Sequence, residues 1–296
     1  MLEPYTGRFA PSPTGPLHFG SLLAALVSYL DARAHGGKWL VRMEDLDPPR
    51  EVPGAASHIL RQLEDHGLFW DAQVLFQSQR QQRYGDILQH LFDKGVAYYC
   101  DCSRQAIRAM GGVYSGRCYG RHDVRRQGAA VRLHIADNTT IEFCDLFQGI
   151  QRQCLNTEVG DFIVRRKDGL YAYQLAVVVD DCDQSVTHVL RGMDLLDSTA
   201  RQLWLMAVLG YQQPVYGHLP VALNRSGQKL SKQNHAPSLD QQGVCDNLYQ
   251  ALSWLGIELE AGIVNPEEIL HCAVKHWQRS LLMGRRGALA PRAHAL

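Results

Sequence analysis

YTGRFAPSPTGPLHFGSLLAALVSYLDARAHGGKWLVRM, residues 5–43, is the stretch that decides the fold. Residues 5–9 read as a short strand. PSPTGP at 11–16 ends it, because proline removes a backbone donor and Pro and Gly together mark turns. Apolar residues then recur at helical spacing over 17–34, and KWLVRM at 38–43 reads as the next strand. Strand, Gly/Pro loop, helix and strand spell a βαβ unit, which implies a parallel sheet. The loop opens the helix where unpaired N–H groups and a partial positive charge attract phosphate. His18, read inside that first turn, can hydrogen-bond a phosphate oxygen as charge builds there. Gly20 carries no side chain, so a flat ring such as adenine can approach the backbone.

Working outward, 53–66 and 79–94 read as helices. From 98 to 131 the texture changes to Cys, Gly and Arg, and 131–150 alternates apolar and polar residues as short strands do. YQLAVVVDD at 173–181 reads as a continuous apolar strand returning to the parallel sheet. Helices are expected at 198–209, 239–255 and 266–277, and GRRGALAPRAHAL at 284–296 reads as a loose tail. The fold class is therefore α/β. Its expected divisions are 1–97 and 151–233 as two halves of one catalytic domain, 98–150 as an insertion, and 234–296 as a short helical segment with its tail.

Bulk composition narrows the partners. With 46% hydrophobic and 20% charged residues, the chain of 296 can bury an ordinary core. Lys plus Arg equals Asp plus Glu at 30 each, which argues against non-specific coating of nucleic acid but leaves room for a local basic face. Arg104, Arg108, Arg117, Arg121, Arg125 and Arg126 supply such a face within the insertion. No basic segment followed by an apolar run opens the chain, and its apolar stretches are too short to span a bilayer. A cytoplasmic protein with no membrane partner is the default expectation.

LNRSGQKLSKQ, residues 223–233, is a Gly- and Lys-containing loop able to close over a triphosphate. Together, HFGS at 18–21 and KLSKQ at 229–233 resemble the HIGH and KMSKS signatures of class I aminoacyl-tRNA synthetases. RFAPSPTGPLHFG at 8–20, RMEDLDPPR at 42–50 and AVVVDDCDQSVTHVLRGMDLLDSTARQ at 176–202 are similar to glutamyl-tRNA synthetases in particular. The resemblance implies a Rossmann-like catalytic domain that binds ATP with magnesium and activates glutamate as an adenylate. His18, Gly20, Lys229 and Lys232 would carry the chemistry. Arg8, Ala10, Ser12, Glu44, Tyr171 and Arg191 would line the glutamate pocket. The residue types suit that substrate, since Arg8 and Arg191 can each grip a carboxylate and Glu44 can pair with the ammonium.

Cys100, Cys102 and Cys118 are three thiolate candidates within twenty residues, and a small insertion with little core benefits from a metal staple. The resemblance implies one structural zinc ion here. Tyr114 is the favoured fourth ligand, with His122 or water as alternatives. After residue 233 the sequence is too short for the helical anticodon-binding region of the longer enzymes. It thus resembles a truncated branch of the family, which places glutamate on a queuosine base in the anticodon stem-loop of tRNA(Asp). A short conventional glutamyl-tRNA synthetase and an adenylate-forming ligase for small molecules are the alternatives, and a non-catalytic regulator would not need His18, Gly20, Lys232, Arg8 and Glu44 together.

Overall fold

The computed structural model describes residues 4–123, 127–230, 237–260 and 262–291. β1 (Thr6–Phe9), α1 (Phe19–Ala34) and β2 (Lys38–Met43) form the expected βαβ unit, with β1 and β2 parallel and Arg8 opposite Leu40. α2 (Ala55–Asp65), β3 (Leu75–Phe76) and α3 (Gln81–Asp93) follow. β4 (Ala97–Cys100), α4 (Arg104–Ala109), β5 (Ala130–Leu133), the hairpin β6 (Thr140–Asp145) and β7 (Gly149–Cys154), α5 (Leu155–Glu158) and β8 (Phe162–Arg165) make up the middle of the chain. β4, β5 and β8 form a small antiparallel sheet, so that sheet draws in residues beyond 150.

Residues 173–181 correct the sequence reading. They form a helix, α6 (Tyr173–Asp183), not a strand. Every residue from Leu175 to Asp181 is buried, so the helix is enclosed on all sides and shows no polar stripe. Three consecutive valines favour a strand only weakly, and tertiary packing overrides that preference. The strand that does return to the central sheet is β9 (His188–Gly192), followed by α7 (Leu196–Leu209) and β10 (Val215–Leu219). The central sheet is parallel throughout, in the order β10-β9-β1-β2-β3. Strand order reverses direction between β1 and β9, and the crevice outside the carboxyl ends of such strands is where open α/β sheets bind ligands.

Side chains alternate across this sheet. Phe9, Trp39, Val41, Met43, Leu190 and Leu219 belong to the apolar core with α1. The intervening residues Arg8, Arg42, Arg191 and His218 belong to the other face and are also buried. α8 (Val244–Leu255) and α9 (Pro266–His276) cover α1 through Leu248, Leu252, Ile269 and Ala273.

The tail expectation also needs correction. β12 (Gly287–Leu289) pairs in parallel with β11 (Val221–Leu223), and Trp254 Nε1 donates to Leu289 O at 3.0 Å. Backbone pairing holds this segment, which side-chain periodicity does not reveal. Residues 292–296 of the expected tail lie outside the described residues. No helix among the described residues is long and apolar enough to cross a membrane.

Candidate active site

A cavity of about 370 Å³ opens at the carboxyl ends of β1, β9 and β10. Phe9, Ser12, His18 and Gly20 line it, together with Gly192, Asp194, Lys229 and Leu230. His18 is the N-cap of α1, one position before the first helical turn in which the sequence placed it. Its Nδ1 accepts from the Ser21 backbone N–H at 3.4 Å, so the neutral ring carries its proton on Nε2. A Cβ on Gly20 would lie 3.1 Å from the His18 ring and 3.8 Å from the Leu230 carbonyl, so the bare glycine keeps the space between the two loops open.

The second loop begins as a tight return. Asn224 N–H donates to Gln228 O at 2.7 Å, Leu230 N–H donates to Ala222 O at 2.8 Å, and Gly227 takes the positive φ of the turn. This brings Lys229 to Asp194, with Nζ and Oδ2 2.7 Å apart. Both side chains are largely exposed, and an exposed pair of this kind is weak enough to exchange for a ligand. Lys232 lies outside the described residues, as do Arg125 and Arg126 of the basic face. Arg104, Arg108, Arg117 and Arg121 are exposed, although Arg121 is chelated by Asp123.

The opposite face of the sheet holds a charged cluster. Arg8 Nε lies 3.2 Å from Asp181 Oδ1 on α6, and Arg42 Nη2 donates to the same oxygen. Burial works against the Asp181 charge, but Arg42 and Arg8 together hold its carboxyl below the usual range. Arg191 donates from Nε to His218 Nε2 at 3.0 Å, from Nη2 to Thr199 Oγ1 at 2.9 Å, and from Nη1 to Tyr173 Oη at 3.3 Å. Glu44 follows β2, and its backbone N–H donates to Pro11 O. Burial pushes its carboxyl up to about 7, against the opposing pull of Arg42, Arg8 and Arg191. The cluster thus gathers three arginines, Asp181 and one acid whose charge changes near neutrality.

In the cysteine-rich segment, the Cys100, Cys102 and Cys118 sulfurs all lie within 4.8 Å of one another. Cys102 Sγ and Cys118 Sγ are 3.5 Å apart, and Tyr114 Oη lies 3.3 Å from Cys100 Sγ and 3.7 Å from Cys102 Sγ. Zn–S bonds of about 2.3 Å set tetrahedral S···S edges near about 3.8 Å, so the donor set fits a zinc-sized ion. Burial opposes the Cys100 thiolate, yet the Tyr114 hydroxyl and Arg132 hold its pKa below the ordinary thiol value. Tyr114 is fixed from behind: Asp161 N–H donates to its carbonyl at 2.9 Å, and Gly160, at φ +69°, packs where any Cβ would strike the Tyr114 backbone. His122 is exposed and stands outside the sulfur cluster.

The model for the catalytic domain of class I tRNA synthetases (E and Q) matches residues 5–253. A glutamyl-Q tRNA(Asp) synthetase of Shigella flexneri is 52% identical over 275 residues, which is 92% of this chain and 89% of that protein. One from Pseudomonas entomophila (strain L48) is 49% identical over 276 residues, 93% of each. This chain belongs to the glutamyl-Q tRNA(Asp) synthetase family. Its fold is that of a glutamate tRNA ligase from Elizabethkingia meningosepticum CCUG26117, whose crystal structure contains its amino acid. That likeness has a TM-score of 0.79 at 24% identity and covers 99% of this chain and 68% of the other.

In this member of the glutamyl-Q tRNA(Asp) synthetase family, the structure brings His18, Gly20, Ser12 and Lys229 to one cavity, and Arg8, Arg191 and Glu44 to one charged cluster. Ala10 directly follows β1. Tyr171 stands apart. Its ring packs edge-on against Tyr84 at 5.5 Å with Arg165 over it, and its hydroxyl faces Gly85. Tyr173, two residues later, is the tyrosine at Arg191. The sequence YAY offers two candidates, and of the two it is Tyr173, the first residue of α6, whose hydroxyl meets Arg191. Asp181, Thr199, His218, Asp145 and Asp194 were also not singled out from the sequence. The run of acids ending α6 was the signal for Asp181.

Proposed function

We propose that this protein activates glutamate with ATP as glutamyl-adenylate and transfers the glutamyl group to queuosine in the anticodon stem-loop of tRNA(Asp). The observation that carries this reading is identity of 49–52% to glutamyl-Q tRNA(Asp) synthetases over about nine-tenths of both chains. The geometry supports the first step. ATP enters the cavity at the amino end of α1, where the helix N-terminus and the His18 Nε2–H stabilise phosphate charge. Lys229, with Lys232 beyond the described residues, steadies the departing pyrophosphate, and magnesium accompanies the triphosphate.

Glutamate sits on the other side of the β1 and β9 ends, with its carboxylates on Arg8 and Arg191 and its ammonium on Glu44. Ala10 and Ser12 border the two subsites, and Tyr173 takes the role that the sequence assigned to Tyr171. Burial raises the Tyr173 pKa, so the hydroxyl keeps its proton and remains a donor. A substrate carboxylate oxygen attacks the α-phosphorus, the bond to the β-phosphate oxygen breaks, and pyrophosphate leaves. Glutamine in place of glutamate leaves an arginine facing an amide, which is the basis for rejecting it.

The expected products separate the readings. Labelled glutamate is offered with ATP to unfractionated, untreated tRNA, and the labelled product is then tested for retention of label after the 3′ terminal adenosine is removed. Label on an internal nucleotide of tRNA(Asp) is the expected result, and glutamate-dependent pyrophosphate exchange is expected without any tRNA. Label confined to the 3′ terminal adenosine of untreated tRNA would establish a conventional glutamyl-tRNA synthetase instead.

The cysteine cluster is read as one structural zinc site with Cys100, Cys102, Cys118 and Tyr114 as ligands. Zinc there would join β4 to the loop at 114–118, in a segment whose own core is small. The purified protein is expected to contain one equivalent of zinc. Cys118→Ser is expected to lose it and to expose the segment around 101–123 to proteolysis. Full zinc content and unchanged cleavage in that variant would remove the cluster from the metal site.

A further inference from the structure

We infer that Asp145 and His218 are positioning residues for Arg191, so that the β6–β7 hairpin helps set how the amino acid is held. The inference rests on the reading that Arg191 grips a glutamate carboxylate. A guanidinium has five N–H donors in a fixed plane. Arg191 uses Nε on His218, both Nη2 hydrogens on Thr199 Oγ1 and the Leu195 carbonyl, and one Nη1 hydrogen on the Tyr173 oxygen. One Nη1 hydrogen then remains beside the Tyr173 O–H, and the two donors make a fork for one carboxylate. Rotation of the guanidinium about its own axis would destroy that fork.

His218 prevents the rotation. Its ring is fully buried, and its Nε2 can accept from Arg191 only when that nitrogen carries no proton. Asp145 sets this tautomer, because its Oδ2 lies 2.6 Å from His218 Nδ1 and takes the ring's single proton donor. Asp145 is itself fixed. Its Oδ1 accepts from the backbone N–H groups of Phe147, Gln148 and His218, each at 3.0 Å. Asp145 ends β6, and His218 faces Arg191 across the β9–β10 register. The hairpin is locked to β10, since Gln148 Nε2 donates to His218 O and Leu146 N–H donates to Tyr216 O, both at 2.9 Å. Gly217 leaves room for the lock, because a Cβ there would lie 2.8 Å from the Phe147 ring. A carboxylate, an imidazole and a guanidinium therefore run in series from the hairpin to the substrate fork, the arrangement by which an outer shell orients a binding group.

The test compares His218→Asn, His218→Gln, Asp145→Asn and Arg191→Ala in glutamate-dependent pyrophosphate exchange, with melting temperatures for each. Glutamine can place an oxygen where Nε2 stood, whereas asparagine reaches only toward Asp145. His218→Asn is expected to raise the glutamate KM about tenfold or more with the ATP KM within about twofold, and His218→Gln to recover most of the loss. Asp145→Asn is expected to raise the same KM, which keeps the test open if His218→Asn does not fold. Equal rises in both KM values, or equal defects in the Asn and Gln variants, would mean a general structural role and overturn the inference. A raised glutamate KM in Arg191→Ala beside an unchanged one in folded His218→Asn and Asp145→Asn overturns the inference alone. An unchanged glutamate KM in Arg191→Ala overturns the pocket reading, and the inference with it.

Discussion

Asp181→Ala is expected to destabilise the protein by about 3–5 kcal/mol, the range for removing one partner of a buried ion pair. Asp181 is 1% exposed, and the guanidinium groups of Arg8 and Arg42 converge on it. Without it, Arg8 and Arg42 lose the carboxylate they share; Asp180 and Glu44 still act on Arg42, but neither replaces that contact, and the Glu44 carboxyl titrates near neutrality. The melting temperature should fall on the order of 10 °C for a chain of this size. The effect has a defined pH dependence. The folded Asp181 pKa is depressed, so its stabilisation is present above the unfolded carboxyl pKa of about 3.9 and is lost as pH falls through the folded value. The gap between wild type and variant should therefore be full near neutral pH and shrink in acid. Melts of both proteins across that range check this. A variant melting within a degree or two of wild type at neutral pH would show that the arginines find other compensation, and would detach Asp181 from the pocket floor. In the folded variant the glutamate KM should also rise, because Arg8 loses the carboxylate that orients it.

The parts of this molecule legible in its sequence are those written in local signals. The βαβ unit at the start carries a proline break, a helical period and a compact apolar strand, and β2 spans the residues at which the sequence places it. Cys100, Cys102 and Cys118 announce themselves by residue type and spacing alone. α6 was not legible, because a helix buried on every side has no amphipathic period and its valines argue for a strand. Tyr173, His218 and Asp145 were hidden for a different reason. Each acts through partners 18 to 73 positions away, and the sheet register that joins them is a property of pairing, not of any one segment. β12 was missed likewise, since its partners are backbone groups of β11. Arg8 and Arg191 mark the boundary between the two cases. Their identity was readable, but their convergence on one face depends on the alternation of β1 and β9 in a shared sheet.

Glu44→Gln is expected to lower kcat/KM for glutamate activation by about a hundredfold or more, mostly through KM, because it removes one charge from a desolvated pair with the substrate ammonium. The wild-type protein should reveal the same residue without mutation. Burial pushes the Glu44 carboxyl up to about 7, so in the empty protein a large fraction is protonated at neutral pH. Only the carboxylate pairs with an ammonium. Glutamate binding must then remove a proton below that pKa, and the apparent affinity falls as pH drops. The substrate's own carboxyls and ammonium keep their charges between about pH 6 and about pH 8, and the arginines do not titrate there. The glutamate KM should accordingly be flat above about pH 7.5 and rise toward tenfold per pH unit below about pH 6.5. Glu44→Gln should show a high KM with no such slope. A wild-type KM independent of pH would mean that Glu44 is already ionised or is not the ammonium partner. An equal slope in wild type and variant would assign the titration to another group. Because Arg8, Arg42 and Arg191 all draw the Glu44 pKa down, Arg191→Ala should move the onset of the slope upward in pH. That shift would tie the carboxylate grip and the ammonium grip into one electrostatic unit.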